Sequence, residues 1–433
     1  MKTPFPPAPT ACQANKPTVF QARFFTRRNF IFQSLVTGKQ ISLIGIFCLF
    51  VCIGTSQILP GAARTDVYLP ALQGKSVAVF ANQTSVVGNT HLVDLLLSKG
   101  INIKKIFSPE HGFRGTADDG KVINDSVDTK TGILLVSLYG AKRKPAAEDL
   151  KGVDVMVFDI QDVGARFYTY ISSLQEYIEA AVQNNKTLLI LDRPNPNGFY
   201  IDGPVLDKKF ASFVGMQPVP IVYGMTIGEY ARMLIGEKWL DPAANKLLPQ
   251  NAARIRVIPC AGYTHKSKYV LPVKPSPNLP EIQSIYWYPS TCFFEGTILS
   301  EGRGTNKAFQ LFGHPSLPKS MASFTPRSQE GAASPKLKDQ VCYGWNLSGS
   351  PEQVLQRVNN QIQLTWILEA YRLFPDKASF FLTNGHFNRL AGNDLLIEQV
   401  KAGKSESDIR KSWQPGLEKF KEIRKKYLLY ADF

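Results

Sequence analysis

The sequence lacks the motifs on which most cofactor-dependent enzymes rely. The first strand-to-helix turn has no G-x-G-x-x-G, and the complete phosphate-loop motif G-x-x-x-x-G-K-S/T does not occur. No G-x-S-x-G elbow is present to expose a serine nucleophile. The five histidines do not fall at zinc-ligand spacings. We therefore expect no cofactor and no metal, with a metal held by His111 and carboxylates as the weaker alternative.

Acidic residues are absent from the first 64 positions, which contain seven basic residues. An uncharged apolar run over residues 41–54 has the length of a signal-peptide core and is short for a membrane span. Arg27 and Arg28 resemble the pair in twin-arginine export signals, and the general secretory route stays open. We interpret residues 1–64 as a targeting segment and expect a periplasmic or extracellular protein. An uncleaved segment would instead anchor the chain to the inner membrane.

Cysteine is also scarce, with six residues in 433. Three of them, Cys260, Cys292 and Cys342, lie beyond the targeting segment, and their wide spacing predicts neither a disulfide framework nor a zinc site. The formal net charge is +15, but no aromatic-interleaved basic motif accompanies it. The basic residues near the C terminus are typical of one solvated helix face, so we expect no nucleic-acid partner.

Short apolar runs alternate with amphipathic stretches in the first part of the mature chain. Uniformly apolar strands separated by helices are typical of a parallel sheet covered on both faces. The predicted strands span residues 76–83, 101–107, 132–138, 153–160 and 187–191. We predict an α/β fold with a Rossmann-like doubly wound parallel sheet over residues 65–210. Prolines then break up the pattern, and residues 211–433 are predicted to form a smaller α+β C-terminal domain that completes a cleft.

Polar residues are concentrated where the predicted strands end, which is where ligands bind in open parallel sheets. These clusters are N-Q-T at 82–84, S-P-E-H-G-F-R-G at 108–115, D-I-Q-D-V-G-A-R-F-Y-T-Y at 159–170 and D-R-P-N-P at 192–196. Turn and capping roles explain Asp192 and Asn195 well. They explain Glu110 with His111 poorly, because these residue types are not favoured turn formers. The clusters therefore predict one polar crevice.

Carboxylates remain as the candidates for catalysis. Glycosidic cleavage needs one acid to protonate the leaving oxygen and a second group to stabilise the developing positive charge or activate water. Glu110 suits the acid role because Pro109 and Phe113 indicate a partly dry pocket; the alternative is a structural pair with Arg114. Further along the chain, the glycines beside Arg303 would allow close approach to a ligand, and a structural turn is the alternative there.

Together with P-S-P-N at 275–278, E-G-T at 295–297, G-R-G-T at 302–305 and the terminal R-K-K-Y-L-L-Y, these motifs resemble the bacterial exo-β-N-acetylmuramidases. This family was formerly a domain of unknown function, and the resemblance spans about residues 70–430. It implies a Rossmann-like domain, a smaller C-terminal domain and an active site in the cleft between them. The implied activity is release of N-acetylmuramic acid from non-reducing ends of peptidoglycan fragments. The family's suspected catalytic pair maps onto Glu110 and His111. Ala308, where the family usually has proline, and the loop at 316–338 depart from the pattern.

The predicted site combines residues of the strand-end clusters with those that the resemblance implies. The candidate catalytic residues are Glu110, His111, Asp162 and Glu301. The candidate substrate-binding residues are Asn82, Gln83, Arg114, Gln161, Arg166, Tyr168, Tyr170, Asn195, Tyr223, Asn278 and Arg303. Arg166 or Arg303 would bind the lactyl carboxylate of muramic acid. The expected partners are peptidoglycan fragments, with membrane contact only through the N-terminal apolar segment. The alternative function is an extracytoplasmic protein that binds cell-wall sugars without cutting them.

Overall fold

A seven-stranded, mostly parallel sheet organises the chain up to residue 258. The computed structural model describes residues 57–110, 112–113 and 125–433. Two candidate residues, His111 and Arg114, lie outside the described residues, as do positions 1–56 of the predicted targeting segment. Within the described ranges, no helix combines the length and apolarity needed to cross a bilayer.

The described residues form twelve strands in three sheets. Their bounds are β1 Ser76–Ala81, β2 Val86–Val87, β3 Thr90–His91, β4 Asn102–Ser108, β5 Ser126–Val127, β6 Leu134–Ser137, β7 Val155–Asp159, β8 Thr187–Leu191, β9 Ile255–Ile258, β10 Leu311–His314, β11 Ala322–Phe324 and β12 Cys342–Asn346.

The large sheet has the order β5-β6-β4-β1-β7-β8-β9, and only the β5–β6 pair is antiparallel. From β1 the chain adds β4 and β6 on one side and then β7, β8 and β9 on the other. This is the strand order of the doubly wound Rossmann fold. Strands β10, β12 and β11 form an antiparallel sheet in a smaller, helix-rich C-terminal domain. The predicted fold class is thereby confirmed.

Eleven α-helices are present among the described residues. They are α1 Thr65–Leu72, α2 Leu92–Ser98, α3 Tyr170–Gln183, α4 Ile227–Gly236, α5 Pro242–Asn251, α6 Ile282–Thr291, α7 Pro351–Val358, α8 Thr365–Leu373, α9 His386–Ala391, α10 Leu395–Lys401 and α11 Glu406–Lys425. Local sequence fixes several starts. For example, α4 begins at a capping box in which Thr226 and Glu229 satisfy each other's backbone N–H groups.

Several features differ from the predicted pattern. The edge strand β5 has only two residues and is too short to be predicted from the sequence. Strand β9 joins the sheet from beyond residue 210, and its pattern is too short and too interrupted by Arg256 to predict a strand. The residues between 351 and 373 form two helices, α7 and α8, rather than one, because Asn359 adopts a left-handed φ of 48°. A residue in that conformation ends a helix.

The sheet is buried on both faces by side chains that alternate along its central strands. Val79 and Val157 face one side, and Phe80 and Phe158 face the other, all fully buried. The rings of Phe80 and Phe158 stack with centroids 5.0 Å apart, and Tyr177 of α3 packs 5.2 Å from Phe80. This packing holds the carboxyl ends of the central strands as a rigid platform.

A buried ion pair ties those carboxyl ends together. Arg193, just after β8, donates from Nε and a terminal nitrogen to Asp159 of β7 at 2.6 and 2.8 Å. Both side chains are almost fully excluded from solvent. Removing one partner of such a pair typically costs about 3–5 kcal/mol, because the other charge is then left buried alone. The pair therefore fixes the start of the segment that leads from β7 into α3.

The last residues of the chain close the other side of this platform, and we call residues 429–432 the terminal clasp. The hydroxyl of Tyr430 donates to Asp192 and accepts from the Cys260 N–H at 2.9 Å. The backbone N–H of Leu429 donates to Glu229 at 2.8 Å. Asp432 pairs with Arg424 of α11 at 2.7 Å. The C terminus is thus hydrogen-bonded into the buried end of β8.

Candidate active site

A cavity of about 300 Å³ lies where the carboxyl ends of the parallel strands meet the C-terminal domain, and we call it the central cavity. Its volume is at the lower end of the range for small-molecule sites. Its lining comprises Glu110, Tyr139, Arg143, Phe167, Tyr168, Thr169, Tyr170, Phe213, Val214, Ser276, Asn278, Leu279, Tyr288, Glu295, Arg303, Phe309 and His386.

Glu110 enters the central cavity from the turn that follows β4. It is half-buried, and the turn is closed by a hydrogen bond from Gly112 N–H to the carbonyl of Pro109 at 3.0 Å. Gly112 has a φ of 74°, a conformation that other residues adopt only with strain. Phe113 is buried against the ring of His91 and anchors the turn. This turn therefore places the carboxyl group of Glu110 at the central cavity.

A second carboxylate, Glu295, lines the same cavity. A terminal nitrogen of Arg303 lies 2.6 Å from its Oε1, and His386 Nε2 lies 3.5 Å from its Oε2. Burial opposes its negative charge, but the charge of Arg303 and the hydrogen bond and charge of His386 outweigh this and lower the pKa of Glu295. Glu295 is therefore a carboxylate over the whole physiological pH range.

Two glycine positions explain how this cluster is assembled. A Cβ atom on Gly296 would lie 2.6 Å from Cα of Phe387, so only glycine lets α9 approach closely enough to bring His386 beside Glu295. A Cβ on Gly304, whose φ is 78°, would lie 2.5 Å from the carbonyl oxygen of Arg327. The glycines of the E-G-T and G-R-G-T motifs are therefore required by close backbone contacts beside Glu295 and Arg303.

A second cavity of about 500 Å³ adjoins the central one and shares Glu295, Arg303 and His386 with it. Glu301 lines this second cavity and not the central one. Its carboxylate lies 2.8 Å from Lys336 Nζ and 3.5 Å from Arg303 Nε. Glu301 is thus a charge partner of the cations that surround the site.

Aromatic side chains form much of the central cavity wall. The rings of Tyr168 and Tyr170 meet edge to face at 4.7 Å. The hydroxyl of Tyr168 donates to the carbonyl of Pro275 at 2.8 Å, and that of Tyr170 accepts from Asn82 at 3.0 Å. Burial raises the pKa of both tyrosines, so they remain neutral. Such rings offer apolar faces with fixed hydroxyl groups.

Asn278 contributes a hydrogen-bond acceptor to the same wall. It is 2% exposed, and its Nδ2 donates to the carbonyl of Gly331 at 2.8 Å. Its Oδ1 has no hydrogen-bond partner among the described residues. A buried acceptor without a partner is costly unless a ligand or water supplies the donor. Asn278 is therefore suited to bind a hydroxyl or amide N–H group of a ligand.

Asp162 and Tyr223 are brought together, but beside the cavity rather than in its lining. Asp162 accepts from the hydroxyl of Tyr223 and from Gly164 N–H, the latter at 2.7 Å. Burial raises the pKa of Asp162 from 3.8 to about 6, although both hydrogen bonds oppose the rise. The geometry gives this carboxyl group a structural role under the wall.

Arg166 is likewise absent from the cavity lining. It is fully buried, and its terminal nitrogens donate to the carbonyls of Pro204, Val219 and Leu390 at 2.7 to 2.9 Å. These contacts join the segment after β7 to the C-terminal domain. The motif predicts an arginine at the end of a strand. It gives no sign of the backbone carbonyls that accept the hydrogen bonds of this arginine.

Four other predicted binding residues also use their side chains within the protein and do not line the central cavity. Their hydrogen bonds run from Asn82 Nδ2 to Tyr170, from Gln83 Nε2 to the carbonyl of Pro275, from Gln161 Nε2 to the carbonyl of Pro194, and from Asn195 Nδ2 to the carbonyl of Met225. These bonds fix the loops on which the lining residues stand.

Of the lining residues that the sequence did not identify as site residues, Arg143, Glu295 and His386 carry acidic or basic side chains. Glu295 lies in the E-G-T motif at 295–297, so the sequence carries a signal for its position. His386 and Arg143 carry no such signal, because His386 begins the short helix α9 and Arg143 stands in a polar loop after β6. Among the residues that the structure describes, no group of three or more His, Cys, Asp or Glu side chains could hold a metal ion.

Comparisons with known proteins cover nearly all of the described chain. Residues 77–283 match the family model described as "Exo-beta-N-acetylmuramidase NamZ, N-terminal", and residues 286–430 match its C-terminal counterpart. The chain is 37% identical over 389 residues to "Peptidoglycan beta-N-acetylmuramidase NamZ" of Bacillus subtilis (strain 168), covering 84% of this chain and 89% of that relative.

Two solved structures of DUF1343 family proteins from Bacteroides fragilis NCTC 9343 are also similar. The first has a TM-score of 0.78 and 43% identity, covering 87% of this chain and 100% of the other. The second has a TM-score of 0.72 and 28% identity, covering 86% of this chain and 99% of the other. The shared fold extends over both parts of the described chain.

Proposed function

The chain belongs to the NamZ family of exo-β-N-acetylmuramidases and is a glycoside hydrolase, and we propose that it releases N-acetylmuramic acid from the non-reducing ends of peptidoglycan fragments. In this proposal Glu110 is the general acid that protonates the departing bridge oxygen. The family membership supports a peptidoglycan substrate, and the geometry of the central cavity supports the assignment of the residues.

The observation that carries the proposal is that Glu110 and Glu295 line one cavity. Glycosidic cleavage needs one carboxyl group that donates a proton and another that stays ionised. Arg303 and His386 lower the pKa of Glu295, so it is unsuited to donate a proton near neutral pH. Glu295 therefore stabilises the positive charge that develops on the sugar or activates the attacking water, which leaves the acid role to Glu110.

The size and lining of the central cavity support binding of a single sugar. A volume of about 300 Å³ accommodates one monosaccharide, which favours removal of terminal residues over cleavage within a strand. Tyr168, Tyr170 and Tyr288 supply faces against which a sugar ring can pack. The acceptor of Asn278 would take a hydrogen bond from a hydroxyl or acetamido group.

Two substrates with different leaving groups test the roles of the carboxylates. A natural MurNAc–GlcNAc disaccharide needs protonation of its bridge oxygen, whereas a nitrophenyl β-N-acetylmuraminide has a leaving group that departs with little help. We expect Glu110→Gln to slow turnover of the disaccharide by about 100- to 10,000-fold and turnover of the nitrophenyl substrate much less. We expect Glu295→Gln to slow turnover of both substrates strongly.

The matched control is Glu148→Gln, which changes a carboxylate that is 85% exposed and outside the cavity lining. It should leave both rates unchanged. Product analysis should identify free N-acetylmuramic acid as the released sugar. Equal losses for Glu110→Gln on the two substrates would contradict the acid role, and binding of wall fragments without turnover by the wild-type chain would contradict hydrolysis.

Export and a part in cell-wall turnover belong to the same proposal. The basic, acid-free segment of residues 1–64 supports export, and peptidoglycan lies outside the cytoplasm. Fractionation of cells that express the full chain should recover activity from the periplasm or medium. Activity confined to the cytoplasm would contradict this part of the proposal.

A further inference from the structure

We propose that Arg143 binds the lactyl carboxylate of N-acetylmuramic acid at the edge of the central cavity and thereby selects this sugar over N-acetylglucosamine. This inference rests on the proposed function, because it concerns the substrate of the same site. The lactyl carboxylate is the negative charge that distinguishes the two sugars, so a cation at the cavity is the physical basis for choosing between them.

Arg143 stands on the loop that follows β6 and lines the central cavity together with Glu110. Its side chain is exposed, and its guanidinium carbon lies 4.2 Å from the ring centroid of Phe213, which also lines the cavity. The carbonyl of Phe213 accepts from Ser172 Oγ of α3 at 2.8 Å. A guanidinium stacked on an anchored ring loses less conformational entropy when it binds a ligand.

The charge pattern of this loop sets Arg143 apart from its neighbours. Lys142 pairs with Asp149 at 2.9 Å, and Lys144 pairs with Asp241 at 2.8 Å. Arg143 has no carboxylate partner among the described residues, and its one hydrogen bond there runs from Nε to the carbonyl of Gly140 at 3.2 Å. Its two terminal nitrogens are thus oriented by stacking and available for a two-point contact with a carboxylate.

The other arginines considered for this role are already engaged. Arg166 is fully buried and bonded to three backbone carbonyls, outside the cavity lining. Arg303 lies 2.6 Å from Glu295 and 3.5 Å from Glu301, and its charge holds Glu295 ionised. Recruiting Arg303 for a ligand carboxylate would weaken the catalytic carboxylate. We therefore assign the contact with the lactyl carboxylate to Arg143 rather than to the two arginines that the sequence favoured.

Calorimetry with three sugars tests the assignment on the full chain. The probes are N-acetylmuramic acid, its lactyl methyl ester, and muramyl-L-alanine, in which the carboxylate has moved onto the amino acid. We expect Arg143→Ala to raise Kd for N-acetylmuramic acid by about 10- to 100-fold and to change Kd for the ester by less than about twofold. Arg143→Lys should recover part of the loss, because it keeps the charge without the planar fork.

The matched control is Lys142→Ala, which removes the adjacent cation that does not line the central cavity. It should leave all three Kd values unchanged. Equal weakening of acid and ester by Arg143→Ala, or no weakening of either, would overturn the inference. A loss confined to muramyl-L-alanine would assign Arg143 to a peptide carboxylate and also overturn it. Turnover of a muraminide by the wild-type chain is measured separately, so failure of the proposed function is recognised independently of these affinities.

Discussion

Replacing Asp162 by asparagine should change how the stability of the protein depends on pH. The folded protein raises the pKa of this carboxyl group from 3.8 to about 6, because burial disfavours its charge. The folded state therefore binds a proton more tightly than the unfolded state. The stabilisation from this group is complete below about pH 4 and is lost as the pH rises through about 6.

The magnitude follows from the shift. A rise from 3.8 to about 6 corresponds to about 3 kcal/mol in the free energy of unfolding, lost between about pH 4 and pH 7. Asparagine is uncharged and can keep the acceptor for Gly164 N–H and the Tyr223 hydroxyl, since Asp162 Oδ1 has no hydrogen-bond partner among the described residues. The variant therefore lacks this pH-dependent loss.

Urea unfolding of the wild-type chain and Asp162→Asn across pH 4 to 7 measures the difference directly. Asp192, whose pKa burial also raises to about 6, is present in both proteins and cancels in the comparison. We expect the variant to become more stable relative to wild type by about 3 kcal/mol as the pH rises. A difference that does not vary with pH would refute the reasoning. If the variant folds normally but turns over a muraminide more than about 100-fold more slowly than wild type, Asp162 is catalytic instead.

Three further predictions concern the cavity, the core and the terminal clasp. Arg303→Met should raise the pKa of Glu295 and move the acid limb of the kcat/KM profile to higher pH, because the ionised form loses its main charge partner. Phe80→Ala should lower the free energy of unfolding in urea by about 3–5 kcal/mol, because it empties the contact with Phe158. Tyr430→Phe should cost about 1–3 kcal/mol in the same assay, whereas Tyr427→Phe, which loses a solvent-accessible bond to Glu237, should cost less. The first expectation is contradicted if the acid limb does not move, and the second if Phe80→Ala is as stable as wild type. The third is contradicted if the two tyrosine variants lose equal stability.

The sequence predicts the sheet well because its central strands are buried on both faces and therefore almost uniformly apolar. Strands β5 and β9 at the two edges are the exceptions, since β5 has only two residues and Arg256 interrupts the four residues of β9. Strand-end position also places Glu110 at the edge of the sheet where the central cavity lies, because the carboxyl ends of parallel strands meet at one edge.

The remainder of the site depends on tertiary packing that no local pattern records. Glu295 and His386 are separated by about ninety positions and meet only because α9 packs against the glycine at 296. Arg166 satisfies the same local criteria as a ligand-binding arginine, yet the carbonyls that occupy it come from segments far along the chain. Residue type and spacing show which chemistry a side chain can perform. Which group that side chain contacts depends on the fold.

The terminal clasp has a consequence for biosynthesis. The hydroxyl that satisfies Asp192 and the Cys260 N–H belongs to Tyr430, and the donor to Glu229 belongs to Leu429. A nascent chain on the ribosome lacks these groups until residues 429 and 430 have been synthesised and have left the exit tunnel. A chain that has not yet reached these residues therefore leaves Asp192, Glu229 and the Cys260 N–H without these partners.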